Sequence, residues 1–428
     1  MSVLTRSRKA RMLGSIALVG ASALVLAGCA TGDNADSGGT DSGGTTTTTE
    51  DLTLKIGTAL PRTGNLAYLG PPEEAGVGYA AQQINDISDK TGLSVEVEYG
   101  DSGDTDNKAY TTEIPRLLNE DVDAIIGAAS SSTSQQFIDQ VVGAGVIQFS
   151  PANTSDVFTT YDDDGLYFRT APSDVLQGDV LGNFIAENGH QTLGMIVLND
   201  AYGTGLAKYV TKAFEGAGGE VVAEATYNTG DTTFDSQINE VLAADPDAIL
   251  LITFEEASTI IPTLTSKFPS DNIYFTDGNL ANYGTEFPEG TLTGAKGTYP
   301  GLSLDTIKDF TDQLDTFVEG EGQDPLSEYL YGAESYDAVV LLGLASLAAG
   351  STDPKDIAGK LQEVSGGSGD GEKCESYADC ADIILGGGTA DYDGVSGPIT
   401  FDEVGDPTQA SIGRYIYEEN NEYVPYEG

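Results

Sequence analysis

Gly100-Asp101-Ser102-Gly103 has the form of a serine nucleophile turn. An activated serine needs a base within hydrogen-bond reach. His190 is the single histidine of the chain, and no oxyanion loop accompanies the turn. Asp101, Asp104 and Asp106 suggest a calcium loop, but Gly103 falls at the third ligand position and the sixth-position glycine is missing. Gly203-x-Gly205 lacks the third glycine of a dinucleotide turn, and no Gly-x-x-x-x-Gly-Lys loop exists to hydrolyse ATP. One His and three Cys argue against a multi-His metal site and a four-thiolate zinc ribbon. No cofactor is expected. What remains is hydroxyls and carboxylates at the ends of predicted strands. Ser131 stands where a helix begins after Gly127, Thr154 lies in the next strand-end turn, and Asp277 follows a strand and precedes Gly278. Hydroxyls at a helix N-terminus suit an anion.

These residues need a scaffold of alternating elements. Strands are expected at Leu52–Leu60, Val95–Tyr99, Ala124–Gly127, Val146–Phe149, Thr192–Leu198, Glu220–Tyr227, Ala248–Ile252 and Asn272–Phe275. Helices are expected at Ala75–Ile87, Tyr110–Leu118, Ser132–Gly143, Val180–Glu187, Gly205–Ala217, Phe234–Ala243, Ala257–Lys267 and Ser327–Leu347. Late strands are expected near Ile399–Phe401 and Arg414–Glu418. Short apolar strands separated by helices predict an α/β fold with doubly wound, Rossmann-like parallel sheets. The length suits two such lobes, with a hinge and an interdomain cleft facing the strands' carboxyl ends. The lobes are expected at 52–171 plus 301–393 and at 172–300 plus 394–428.

Composition narrows the partners. With 19 Lys+Arg against 68 Asp+Glu, the net charge is −49. No basic stripe is available for nucleic acid, nor is there positive charge to hold anionic lipid. No apolar run reaches the length of a spanning helix. Arg6, Arg8, Lys9 and Arg11 precede the uncharged stretch Met12–Ala27, the pattern of a secretory signal. It ends in Leu26-Ala27-Gly28-Cys29, which resembles the lipobox of bacterial lipoproteins and implies a signal at 1–28 and lipidation of Cys29. Loss of those four basic residues moves the net charge to −53. Residues 29–51 form the lipidated cysteine and a Gly/Ser/Thr/Asp tether, spanning on the order of 25 Å as a random coil. Outside the cytoplasm, Cys374 and Cys380 read most economically as a local disulfide.

Several turns, in order along the body, carry a resemblance. They are Gly57-Thr58-Ala59-Leu60-Pro61-Arg62-Thr63-Gly64 with Ala67-Tyr68-Leu69-Gly70, Ile126 to Thr133, Ser150-Pro151-Ala152-Asn153-Thr154, Phe168-Arg169 to Asp174, Asn199 to Gly205, Tyr274 to Gly278, and Tyr392 to Ile399. Together they resemble the branched-chain-amino-acid-type solute-binding proteins of ABC transporters, which have the type I periplasmic binding protein fold. The resemblance implies a ligand-binding, non-enzymatic subunit that serves a permease and an ATPase. It further implies an amino-acid ligand held between lobes, a lipid-anchored place on the outer face of the cell membrane, and a monomer.

The same resemblance assigns roles. The ligand carboxylate goes to the hydroxyls of Ser131 and Thr154 and the backbone at Ala152, with Ser130 or Ser132 open as alternatives within the serine run. The ammonium goes to Asp277. Tyr202, Phe254 and Tyr331 wall the side-chain pocket, and Tyr68 or Leu69 covers it. Each has a plainer reading: helix capping for the hydroxyls, a solvated loop for Asp277, core packing for the aromatics. Competing ligands are urea, a short amide or an aromatic acid, each lacking one of the two charges. A sensory ligand-binding subunit is a different class with the same cleft.

Overall fold

The computed structural model describes residues 51–426. The expected signal, Cys29 and nearly all of the tether lie outside the described residues. Strands β1 (Leu52–Ala59), β2 (Leu93–Glu98), β3 (Ala124–Gly127), β4 (Ile147–Ser150) and β5 (Tyr167–Arg169) form a parallel sheet in the order β2-β1-β3-β4-β5. Its alternating side chains feed two cores. Ala124 and Ile126 pack with Val77 and Leu341, whereas Ile125 packs on the opposite face with Ile114 and Val141. Burial on both faces is why these strands read as unbroken apolar runs.

Strands β6 (Thr192–Leu198), β7 (Glu220–Tyr227), β8 (Ala248–Ile252), β9 (Ile273–Phe275) and β10 (Lys296–Pro300) build the second lobe. A small sheet of β11 (Glu372–Cys374), β12 (Ala390–Gly394) and β13 (Gly397–Pro398) follows. The chain then adds β14 (Ile412–Tyr417) and β15 (Tyr423–Pro425) to the second lobe. The order there is β15-β14-β10-β9-β8-β6-β7, parallel except that β14 and β15 pair antiparallel.

Several sequence expectations are corrected. The helix expected over Ser132–Gly143 is two pieces, Ser131–Ser134 and Ile138–Gly143. The helix expected from Ser327 starts at Gly332, because Tyr331 takes a left-handed backbone at φ 61°. The Gly332–Ala349 helix is apolar and long enough to cross a membrane, yet 83% of it is buried in the first lobe. Residues Ile399–Phe401 form no strand. Ile399 and Phe401 lie in the first-lobe core, where Phe401 packs on Phe149 and Phe168. The last passage between lobes therefore falls after Phe401 rather than at 393/394. Helices Lys308–Gly320, Pro354–Val364 and Tyr377–Leu385 were not expected from the sequence. Cys374 and Cys380 are disulfide-bonded, tying β11 to the last of these helices.

Candidate ligand-binding cleft

The cleft is built from turns at the carboxyl ends of the strands. Gly127 ends β3 at φ +126°, and a Cβ there would lie 2.1 Å from the Ala59 carbonyl of the neighbouring strand. Only glycine permits that approach. The next turn is fastened to β4: Ser150 Oγ donates to the Ala128 carbonyl at 2.7 Å and accepts from the backbone of Ala152 (3.2 Å) and Asn153 (2.9 Å). Asn153 Nδ2 donates to the carbonyls of Ala128 and Ala129. Ser131 and Ala152 are thereby brought to one wall.

The opposite wall comes from the second lobe. Asp200 caps the Ala201–Gly216 helix by accepting from Gly203, which brings Tyr202 to the cleft. Phe254 follows β8 and stacks on Tyr202, with centroids 5.2 Å apart. Asp277 follows β9.

Between the walls lies a tightly closed cavity of about 10 Å³. Ser131, Ala152, Tyr202, Phe254, Asp277, Tyr331 and Leu69 all line it. Thr154 and Tyr68 do not. Thr154 is buried behind the wall. Tyr68 reaches over the top, where its hydroxyl donates to the Asp277 carbonyl at 3.2 Å. Of the two residues expected to cover a ligand, Leu69 lines the cavity and Tyr68 does not. Leu66, Ala129 and Gly278 also line the cavity, and sequence reasoning did not single them out. No Lys or Arg lines it.

The serine run separates by contact. Ser130 lines the cavity beside Ser131 and caps the short helix by accepting from the Thr133 N–H. Ser132 turns to the other lobe, donating to Asp200 at 2.8 Å and accepting from the Ala201 N–H at 3.0 Å. Ser131 Oγ accepts from the Ser155 N–H at 3.2 Å, which leaves its proton free to donate. The Ala152 N–H is already given to Ser150 Oγ.

Asp277 is almost fully buried. Its Oδ1 accepts from Gln177 Nε2 (2.7 Å) and the Tyr202 hydroxyl (3.0 Å), and its Oδ2 accepts from the Tyr331 hydroxyl (2.8 Å). Burial pushes its pKa up, while those three donors oppose the rise. Gln177, in the first turn of the Asp174–Glu187 helix, gave no sequence signal of this role.

The lobes are closed on each other. Besides Ser132 and Asp200, Ser155 Oγ donates to the Ala201 carbonyl at 3.1 Å. Asn65 Nδ2 donates to Glu256 at 3.2 Å, and the Asn65 carbonyl accepts from the Glu255 N–H. No cluster of three His, Cys, Asp or Glu side chains suited to a metal occurs among the described residues.

Comparison with known proteins agrees with this geometry. The family described as periplasmic binding protein matches residues 53–373. A leucine-, isoleucine-, valine-, threonine- and alanine-binding protein of Pseudomonas aeruginosa is 28% identical over 319 residues, covering 72% of this chain and 82% of its own length. A chemotactic signal transduction substrate-binding protein, BasB of Halobacterium salinarum, is 23% identical, covering 81% and 83% respectively. Among solved structures, a leucine-binding protein of Thermotoga maritima superposes with a TM-score of 0.70 at 22% identity, covering 87% of this chain and 97% of that one. A Rhodopseudomonas palustris solute-binding protein in complex with benzoate superposes with 0.68 at 18% identity, covering 87% and 95%. Two α/β lobes closed on one cleft, matched over three quarters of the sequence, make this chain a member of the periplasmic binding protein family.

Proposed function

We propose that this chain is the solute-binding subunit of an ABC importer. It captures a small amino acid outside the cell and presents it to a membrane permease driven by an ATPase subunit. The observation that carries this reading is the pairing across one closed cavity of a free hydroxyl proton at Ser131 with a buried carboxylate at Asp277. An α-amino acid offers the complementary charges. Its side chain would meet Leu69, Phe254 and the rings of Tyr202 and Tyr331. Thr154 and Ala152 complete the carboxylate end by position, and Tyr68 closes over it. Lipidation at Cys29 would hold the monomer at the outer face of the membrane. Radiolabelled palmitate incorporation that is lost in Cys29→Ser tests the anchor.

The experiment for ligand class is a thermal-shift panel on residues 52–428, using all twenty amino acids, urea, short amides and aromatic acids. Binding to the native state raises stability by RT ln(1+[L]/Kd), about 2.7 kcal/mol at a hundred times Kd. A response to Leu, Ile, Val or Ala supports the reading. Silence from every amino acid with a response to benzoate would transfer the cleft to an aromatic acid, the ligand held by one structural neighbour. A second reading, a sensory subunit, draws support from the chemotactic relative. Co-purification with a permease favours transport; co-purification with a transducer favours sensing.

A further inference from the structure

Glu328 reaches from one lobe into the other. It lies in the connection between the Lys308–Gly320 and Gly332–Ala349 helices, both packed in the first-lobe core. That connection is tied to its own lobe at Asp315, which accepts from the Leu326 N–H (3.0 Å) and the Tyr329 hydroxyl (2.7 Å). The Glu328 carboxylate instead meets the second lobe. Its Oε1 accepts from the N–H of Asn282, in the turn after β9, at 2.5 Å. Its Oε2 accepts from the hydroxyl of Tyr423, on β15, at 3.0 Å. Asn282 and Tyr423 are joined to each other, since Asn282 Oδ1 accepts from the Tyr423 N–H. Three residues after Glu328, Tyr331 lines the cavity and donates to Asp277. One short segment carries both a cross-lobe contact and a cleft wall.

Glu328 is buried at this contact. The titratable groups that face it are the phenols of Tyr68, Tyr283, Tyr329, Tyr417 and Tyr423 and the carboxylate of Glu422. None of them is a cation. A carboxylate enclosed there gives up hydration and gains no countercharge. We propose that Glu328 is a proton-coupled latch: the lobes close on a solute with uptake of a proton at its carboxyl, and open with its release. When the lobes part, Asn282 and Tyr423 withdraw with the second lobe and water reaches the carboxylate. In the closed form, burial pushes Glu328 up to about 7, opposed by the Asn282 N–H and the Tyr423 hydroxyl and aided by Glu422. The closed form therefore holds a proton that the open form has lost. Closure is favoured at acid pH and weakens as pH rises to about 7. Above that both forms are ionised and the dependence ends. Glu328 acts through Tyr331 and the lobe equilibrium, so it is a positioning residue. The inference depends on lobe closure and not on which solute is bound.

The test is calorimetric titration of wild type and Glu328→Gln with L-leucine and benzoate at pH 6, 7 and 8. Buffers of different ionisation enthalpy count the protons taken up, and high KCl screens the surface acids. Glutamine is isosteric, keeps an acceptor for the Asn282 N–H and does not titrate. Every other carboxyl is common to both proteins, so their difference belongs to Glu328. Relative to Glu328→Gln, wild-type affinity should weaken about tenfold from pH 6 to pH 8. Wild type should also take up close to one more proton per ligand than the variant at pH 6, and almost none more at pH 8. Equal pH profiles and equal proton uptake would overturn the latch and leave the amino-acid reading standing. If neither probe binds, that reading fails by itself, and X-ray scattering of the unliganded proteins decides the latch. The radius should then grow from pH 6 to pH 8 in wild type but not in Glu328→Gln; the same change in both would overturn it. Should Glu328→Gln fail to fold, Tyr423→Phe removes a donor that favours the carboxylate. The fall in affinity, or the rise in radius, should then move to higher pH, and an unmoved profile would overturn the latch.

Discussion

At the scale of single residues, the cleft separates partners that select a ligand from partners that hold the selector in place. Asp277 is held by two phenols and an amide, and none of these is a cation. On the proposed reading, the ligand's ammonium supplies the positive charge that these partners lack. Asp277→Asn keeps an acceptor for Tyr202 and Gln177 but removes the charge. A hydrogen bond to a charged group contributes about 1.5–3 kcal/mol, so amino-acid affinity should fall roughly tenfold to a hundredfold. Asp277→Ala should abolish it and also lower the melting temperature, since two hydroxyls and an amide lose their acceptor. Unchanged amino-acid affinity in either variant rejects the role. The positions of Ser131, Asp277 and the aromatics were legible because strand-end turns carry short motifs. Gln177 was not, because its contact with Asp277 arises only when the helix start packs beside the turn after β9.

At the scale of elements, the strands were the most legible part. Ala124–Gly127, Thr192–Leu198, Glu220–Tyr227 and Ala248–Ile252 appear in the structure with the boundaries read from their apolar runs. Helices Lys308–Gly320 and Pro354–Val364 escaped because acidic and polar residues fill their outer faces, leaving Phe310, Leu314, Val318, Ile357, Leu361 and Val364 as a buried apolar stripe. The helix after β3 broke because Ser134 turns back to the Ala128 N–H, and Phe137 leaves helical backbone at ψ −5°. That short first helix has a second task. Its Ser132 bridges to the capping Asp200 of the opposite lobe without lining the cavity. Closure and ligand contact can therefore be separated. Ser132→Ala removes one cross-lobe hydrogen bond, a net contribution of about 0.5–1.5 kcal/mol. Ligand affinity should weaken roughly twofold to tenfold, with no change in preference among amino acids, because only the open–closed equilibrium moves. X-ray scattering of the unliganded variant should show a larger mean radius. A changed preference would mean that Ser132 touches the ligand.

At the scale of the whole molecule, acidity acts in two places that respond to different variables. Most of the 68 acidic side chains face solvent against 19 basic ones, so the folded body repels itself more than the expanded chain does. Screening shortens from about 10 Å at 0.1 M salt to about 3 Å at 1 M, so the melting temperature should rise from low to high KCl; a flat response would sink this account. The second place is the interior. Burial pushes Glu334 up to about 8, Glu328 to about 7 and Asp200 to about 6, and it raises Glu73 and Asp174 as well. In each case the folded pKa exceeds the unfolded one, so between pH 5 and 8 the folded protein holds protons that the unfolded chain has released. Stability must then fall as pH rises through that window. Salt screens the surface charges but not these buried groups, so the fall from pH 5 to pH 8 should persist in 1 M KCl. Glu334 supplies the upper end of the window, and Glu334→Gln retains an acceptor for the Tyr299 hydroxyl while removing the titration. That variant should flatten the melting curve between pH 7 and pH 8 and leave the slope between pH 5 and pH 6 intact. An unaltered slope above pH 7 would assign the effect to the surface instead.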